Sequence, residues 1–367
     1  MVSPGCRCAR AGDYLVIAVR KRRVHLPLAC CDKLTTLILT NTYFLLSPSQ
    51  ATVMVQDTDD LSTLLAVAAA NVPNGIDYHT NSNALIVSVN NPTGSPNNFQ
   101  RIATNGATSA WSTLSDMGNL FAEIKLTTVK VTTNGWATGD MYFNTAQAGT
   151  IGRISADGSS VNTNWATLPG ETNLLRSLYI DQSGVWSGDL IAVTGGNPNS
   201  SGGGGAVWRV TSAASATKVA QINDANGNGI LLEGVLTVPN DPAKYGPWAG
   251  RILTCAEPTG MICAVDTNGT VTVYNLGLGT PEDVRLIPSG QNLYCLDFSN
   301  YHVLKVTADN FAGFAGDVLL VDEAQGCALA GVYVVHWTGG GFVVRQIPIG
   351  VVMEHVVFAP INIPALP

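Results

Sequence analysis

The stretch Leu232-Glu233-Gly234-Val235-Leu236-Thr237-Val238-Pro239 carries a pattern that returns along the chain. A polar residue is followed by one variable residue and then by a short β-rich run that soon meets a turn signal. The lead positions are Asn74, Ala122 (a weaker copy), Arg176, Glu233, Glu282 and Glu354. The steps between them are 48, 54, 57, 49 and 72 residues. Self-similarity at a nearly constant spacing indicates a repeat architecture, here with one longer unit.

Composition favours an all-β chain. Among 367 residues, 46% are apolar, only 12% are charged and 38 are glycine, which is typical of a turn-rich β protein with a large core. The net charge of −7 argues against a nucleic-acid partner, which would need a basic face. The sequence has no uninterrupted apolar run of about 18 residues, so we expect no membrane span. The oligomeric state stays open.

The first 40 residues differ from the rest of the chain in composition. They are basic, and the apolar run at 34–39 resembles the core of a poor signal segment, whereas the alternative is a non-native extension. We therefore expect a leader at 1–40 and a single β-propeller domain at 42–360. An extracellular or periplasmic location is favoured.

The two ends of the chain are predicted to share a blade. Runs at 43–46, 52–57 and 63–67 match the last three strands of a later repeat, and the missing first strand lies at 354–358. Strand exchange between the termini would close the ring and remove its exposed edges.

The long fifth repeat decides the number of blades. Its second strand is predicted at 317–323, with a hairpin formed by 293–296 and 302–306 inserted before it. This arrangement predicts a six-bladed β-propeller. If the same residues formed two defective blades, the ring would have seven.

Two short stretches resemble known propeller families. Pro281-Glu282-Asp283-Val284 and the run at 292–306 resemble an NHL repeat. More broadly, the chain resembles six-bladed propellers of the gluconolactonase and paraoxonase type. Glu233-Gly234 looks like the Glu-Gly that opens the first blade of gluconolactonases, where the Glu binds the metal. The resemblance implies a metal-dependent hydrolase.

The lead positions should form a ring at one mouth of the propeller channel, because the first strand of each blade lines the channel. The second strands should end at the same mouth, adding Glu257 and Glu323. The predicted metal ligands are Glu233, Glu282, Glu354, Asn74, Glu257 and Glu323, with Arg176 in the same ring. Bare carboxylates repel one another, and Ca²⁺ prefers such oxygen ligands. Alternatively, Arg176 and water neutralise the ring, or some of these side chains point outward.

Two further candidates lie nearby. Asp224, Asn226 and Asn228 match the front half of a calcium loop, although Asn-Gly runs are also common turns. His355 is a candidate general base, although strand alternation should turn it away from the channel.

Two functions remain open at this point. A divalent cation, most simply Ca²⁺, could serve hydrolysis of a small lactone or ester at the channel mouth. Alternatively, the propeller is a non-enzymatic module that binds a protein or glycan, with a cation for rigidity.

Overall fold

The computed structural model describes residues 65–366, with gaps at 71, 90–97, 115, 117–122, 133, 197–202, 324–330 and 349–350. It also describes the backbone of two short strands, Leu15–Val16 and Thr52–Gln56. The strands form six blades around a central axis, and the first strands of neighbouring blades contact one another around the ring. The chain is a six-bladed β-propeller, which confirms the predicted fold and number of blades.

Blades 1 to 4 each use four consecutive antiparallel strands, from the axis outward. Blade 1 contains Ile76–His79, Ala84–Val89, Asn98–Ile102 and Thr108–Ala110. Blade 2 contains Leu126–Thr128, Met141–Asn144, Thr150–Ile154 and Val161–Thr167. Blade 3 contains Leu175–Ile180, Leu190–Thr194, Ala206–Val210 and Ala216–Gln221. Blade 4 contains Glu233–Thr237, Ile252–Ala256, Met261–Val265 and Val271–Asn275.

Blades 5 and 6 are interlaced along the chain. Blade 5 contains Pro281–Leu286, Val318–Asp322, Gly331–Trp337 and Phe342–Pro348. Blade 6 contains Met353–Ala359, Asn292–Asp297, His302–Val306 and Leu65–Ala69. The predicted second strand of blade 5 is confirmed. The predicted place of the hairpin is wrong, because its two strands pair with Met353–Ala359 and Leu65–Ala69 and so form the middle of blade 6.

Closure by strand exchange between the termini is confirmed, with a different division of strands. Only Leu65–Ala69 comes from the N-terminal side, as the outermost strand of blade 6. Thr52–Gln56 was predicted in that blade but pairs in parallel with Phe342–Pro348 at the outer edge of blade 5. Leu15–Val16, within the predicted leader, pairs in parallel with Thr52–Gln56. The strand predicted at 43–46 lies outside the described residues.

The core consists of apolar clusters between neighbouring blades. Leu253 and Ile262 of blade 4, for example, pack in one cluster with Leu320 and Tyr333 of blade 5. Corresponding clusters occupy the other interfaces, including the one between blades 6 and 1 that closes the ring. The packing stabilises each first strand on both sides and holds the channel mouth rigid.

Three cysteines and a few short helices complete the described structure. Cys255, Cys263 and Cys295 are buried and free, as expected for small hydrophobic residues in strands. The helical segments are Pro242–Tyr245, Gly246–Trp248, Glu257–Thr259 and Ala308–Phe314. No helix among the described residues is long and apolar enough to cross a membrane.

Candidate cation site at one mouth of the channel

The six first strands all begin at one mouth of the channel. Glu233 is the first residue of its strand, and Glu282 and Glu354 are the second residues of theirs. The second strands run antiparallel to the first strands and end at the same mouth. Glu257 therefore follows Ile252–Ala256 at this mouth, and Glu323 follows Val318–Asp322.

Three of these carboxylates form a compact group, which we call the acidic trio: Glu257, Glu282 and Glu323. Each offers one oxygen, and these oxygens lie within 4.8 Å of one another. Glu282 is buried, whereas Glu257 and Glu323 are partly exposed. Because two members reach solvent and all three converge, the trio can hold a cation that enters from outside.

Local hydrogen bonds fix the chain around the acidic trio. The Asp322 carboxylate accepts from the backbone N–H groups of Gly279 (2.6 Å) and Thr280 (3.0 Å). The Glu323 N–H donates to the Thr280 carbonyl at 3.0 Å. These contacts tie the start of Pro281–Leu286 to the end of Val318–Asp322, so Glu282 and Glu323 are positioned by one rigid corner.

A buried lysine occupies the centre of the ring. The Lys125 ammonium lies 3.0 Å from Glu354 Oε2, 3.7 Å from Glu123 Oε2 and 3.9 Å from Glu233 Oε2. It also donates to the Asn74 carbonyl at 3.3 Å. Its side chain has no exposed surface. Glu354, predicted as a metal ligand, is therefore engaged by a cation of the protein itself, whereas Lys125 reaches only the backbone carbonyl of Asn74.

Arg176 supplies the second positive charge. Its guanidinium contacts Glu123 and lies 3.3 Å from Glu233 Oε1. The alternative in which Arg176 helps to neutralise the ring therefore has direct support in the geometry. Lys125 and Glu123 were not predicted, because the weak repeat copy placed Ala122 in the ring. Ala122 lies outside the described residues, and the ring contacts of this blade come from the next few residues along the chain.

The two cations do not balance the carboxylates. Among the described residues, the ion pairs at this mouth involve two cations, Lys125 and Arg176, and six carboxylates lie there: Glu123, Glu233, Glu257, Glu282, Glu323 and Glu354. Burial disfavours ionised Glu123, but Arg176 and Lys125 overcome it and lower its pKa to about 2. By contrast, burial together with the nearby Glu123 raises the pKa of Glu257 to about 7, against the pull of Arg176. Glu257, a member of the acidic trio, thus feels the surplus negative charge of the mouth.

The pKa values of Glu282 and Glu354 are raised as well. Burial and repulsion from Glu233 raise the pKa of Glu282 well above its usual value. Burial raises the pKa of Glu354 to about 7, although Lys125 favours its ionised form. Without a further cation, several of these groups would hold protons near neutral pH.

Two buried oxygen atoms in the ring lack a hydrogen-bond partner among the described residues. They are Glu233 Oε2 and Asn74 Oδ1, on residues that are 2% and 1% exposed. Unpaired buried acceptors cost free energy, and a cation or water would satisfy them. They are a second sign that the mouth takes up a positively charged or hydrogen-bonding species.

The remaining candidates lie apart from this arrangement. His355 is 1% exposed, and its Nδ1 lies 4.0 Å from Asp283 Oδ2. Burial, with Lys125 and Arg285 nearby, lowers its pKa well below the usual value. A neutral ring this deeply buried cannot reach a substrate in solvent unless the blades move.

The Asp224 loop forms an exposed turn. Asp224 Oδ1 accepts from the N–H groups of Asn226 (2.9 Å) and Asn228 (2.8 Å), and an isolated bridge joins Asn223 to Gly229. The carboxylate thus closes its own turn, as expected for an Asn-Gly run.

Solved propeller structures are similar in fold to this chain. No protein-family model matches the chain, and no curated protein sequence matches it. Among solved structures, a gluconolactonase from Xanthomonas campestris shares 12% identity, with 80% of this chain and 83% of that one covered and a TM-score of 0.49.

A calcium-binding protein, regucalcin, from Agrobacterium tumefaciens shares 12% identity, with 84% of each chain covered and a TM-score of 0.46. A virginiamycin B lyase from Staphylococcus aureus shares 13%, with 76% and 85% covered and a TM-score of 0.43. The likeness is one of fold.

Proposed function

We propose that the acidic trio binds a divalent cation, with Ca²⁺ the best fit, and that this site hydrolyses a small lactone or ester. One observation carries the proposal: three carboxylate oxygens lie within 4.8 Å of one another at a partly exposed channel mouth. The surplus of carboxylates over Lys125 and Arg176 supports it, because a divalent cation would remove the need for protonation.

The donor set favours calcium. All three ligands are carboxylates, and Ca²⁺ takes six to eight oxygen ligands, commonly including water. Glu257 and Glu323 are partly exposed, so positions open to water and substrate are available on the solvent side. A bound cation of this kind polarises a carbonyl group and lowers the pKa of a water molecule.

The other residues of the mouth would act by position and charge. Lys125 and Arg176 hold Glu354, Glu123 and Glu233 in fixed ion pairs. The pairs confine those carboxylates to the wall of the channel. They leave the acidic trio as the group that faces an entering cation and a small neutral substrate.

A non-enzymatic binding propeller with a structural cation is the second candidate. The burial of His355 favours it, because this histidine cannot exchange a proton with solvent water in the present conformation. A protein or glycan would then bind on the loops around the mouth, and the cation would only stiffen them.

The test compares turnover before and after chelation. Purified protein treated with a chelator would be assayed on a panel of γ- and δ-lactones and on p-nitrophenyl acetate, with and without added calcium. We expect turnover only with calcium, and its loss in Glu282→Gln, which keeps the side-chain shape but removes the charge. Asp224→Asn, in the exposed turn, is the matched control and should keep wild-type turnover.

The outcomes separate the two candidates. Turnover that survives chelation would contradict the metal mechanism. Calcium binding without turnover of any substrate in the panel would favour the non-enzymatic candidate.

A further inference from the structure

The opposite mouth of the channel contains a separate cavity. Its walls include Tyr78, Tyr179, Thr237, Leu286 and Phe358. Each of these residues lies near the end of a first strand, whereas the carboxylate ring lies at the strand starts. The cavity and the acidic trio therefore lie at opposite ends of the channel.

The cavity has the size and lining of a small-molecule site. Its volume is about 590 Å³, within the range of roughly 300–1,000 Å³ that is common for ligand pockets. Aromatic and aliphatic side chains form most of its wall, among them Tyr179, Tyr245, Leu236 and Phe358. Such a wall suits the apolar body of an organic ligand.

The charged groups at the cavity are mostly paired with one another. Lys130 Nζ lies 2.7 Å from Asp77 Oδ1 and 2.7 Å from Thr128 Oγ1. Arg285 Nη1 lies 2.8 Å from Asp283 Oδ1. These pairs leave the cavity close to neutral, so a ligand with many charges would not be favoured.

One guanidinium nitrogen remains available. Arg285 Nε donates to the Val356 carbonyl at 3.0 Å, and Nη1 donates to the Val284 carbonyl at 2.9 Å. Among the described residues, Nη2 has no hydrogen-bond acceptor, although it carries two N–H groups. The backbone contacts hold the guanidinium in place, so Nη2 is a preorganised donor.

A second donor lines the same cavity. The Tyr179 hydroxyl has no hydrogen-bond partner among the described residues. Tyr179 and Arg285 both line this cavity, and burial raises the pKa of the Tyr179 hydroxyl. These two donors lie on the wall of a largely apolar cavity, and together they suit a ligand that carries two acceptor oxygen atoms.

We propose that this cavity binds a small organic monocarboxylate. The carboxylate accepts hydrogen bonds from Arg285 Nη2 and the Tyr179 hydroxyl, and an apolar ring or chain packs against Tyr245, Leu236 and Phe358. A carboxylate has two acceptor oxygen atoms, one for each donor, and charge-assisted hydrogen bonds of this kind are strong. The proposal does not depend on the hydrolase function of the other mouth.

The test is calorimetric titration of the chelator-treated protein with benzoate and with cyclohexanecarboxylate. The chelator removes divalent cations, so an acid cannot bind through a metal at the acidic trio. We expect saturable binding of at least one acid, and binding at least about tenfold weaker for the neutral probe benzamide, since a hydrogen bond to a charged group is lost. Tyr179→Phe removes one oxygen and should weaken acid binding about tenfold.

Tyr274→Phe is the matched control. Tyr274 is buried between blades 4 and 5, outside the cavity, and its substitution should leave acid binding within about twofold of wild type. Equal melting temperatures would show that both variants fold. If neither acid binds the wild type saturably, or if Tyr179→Phe binds as tightly as wild type, the proposal is wrong.

Discussion

Replacing Lys125 with methionine should strongly destabilise the propeller. Methionine keeps most of the side-chain volume but removes the ammonium that lies 3.0 Å from Glu354 and 3.9 Å from Glu233. Both carboxylates are buried and would lose their central counter-charge. Removing one partner of a buried ion pair is costly because the other charge stays without solvent.

The size of the loss follows from the distances. At an effective dielectric constant of about 20, each of the three contacts of Lys125 corresponds to roughly 4–6 kcal/mol of Coulomb attraction. Much of that attraction offsets desolvation, and the carboxyl groups can take up protons in the variant. We therefore expect a net loss of about 3–5 kcal/mol in unfolding free energy, which is typical of a broken buried pair.

Urea unfolding at pH 7 measures the loss. Lys305→Met is the matched control. The Lys305 ammonium is also buried, but its hydrogen-bond partners in the described part of the chain are neutral, namely the Asn362 side chain and the Ile363 carbonyl. Its loss should be clearly smaller. Adding Glu354→Gln to Lys125→Met should recover part of the lost stability. Equal losses in the two lysine variants, or no recovery in the double variant, would refute the central ion cluster.

Two further predictions concern pH and backbone packing. Because burial raises the pKa of Glu257 and Glu354 to about 7, the calcium-free folded state holds protons that the unfolded chain has released. Its stability should fall between pH 6.5 and 8 by about 1 kcal/mol per carboxyl group, and calcium should reduce the fall; an unchanged urea midpoint would contradict this. Gly234 has φ +53°, and an added Cβ would lie 2.7 Å from Asp283 Cα, whereas Gly290 has φ +70° and open space. Gly234→Ala should therefore cost several kcal/mol and Gly290→Ala only about 1–2 kcal/mol; equal losses in thermal melts would show that close packing is not the reason for Gly234.

The ring of blades could be predicted from the sequence because each repeat is marked by a short, local sequence pattern. Each first strand carries its own short pattern, and the register of Glu233, Glu282 and Glu354 follows directly from it. Closure through the tail was also predictable, because Met353–Ala359 carries the first-strand pattern that the N-terminal strands lack.

The pairing of the hairpin was not predictable from local pattern. Asn292–Asp297 and His302–Val306 pair with each other in either arrangement, and the residues between them say nothing about which first strand lies beside them. In the structure Asn292–Asp297 pairs with Met353–Ala359, more than 50 residues further along the chain, and His302–Val306 pairs with Leu65–Ala69. Long-range pairing of this kind depends on the whole ring, because every blade must have a first strand.

The sequence could not show which of the carboxylates converge, because convergence depends on distances in three dimensions. Glu257, Glu282 and Glu323 were all predicted at the mouth, but only the folded chain shows that they converge while Glu354 turns toward Lys125. One signal for Lys125 was present in the sequence. A lysine between Ile124 and Leu126, just at the start of a first strand, is a charged residue in a buried position, and such a residue needs a partner.

Calorimetric titration of the chelator-treated protein with calcium chloride tests the acidic trio most directly. We predict one saturable calcium site in the wild type, at least about tenfold weaker in Glu282→Gln because one ligand charge is removed, and unchanged in Asp224→Asn. No saturable calcium binding by the wild type, or equal affinity in Glu282→Gln, would contradict the account.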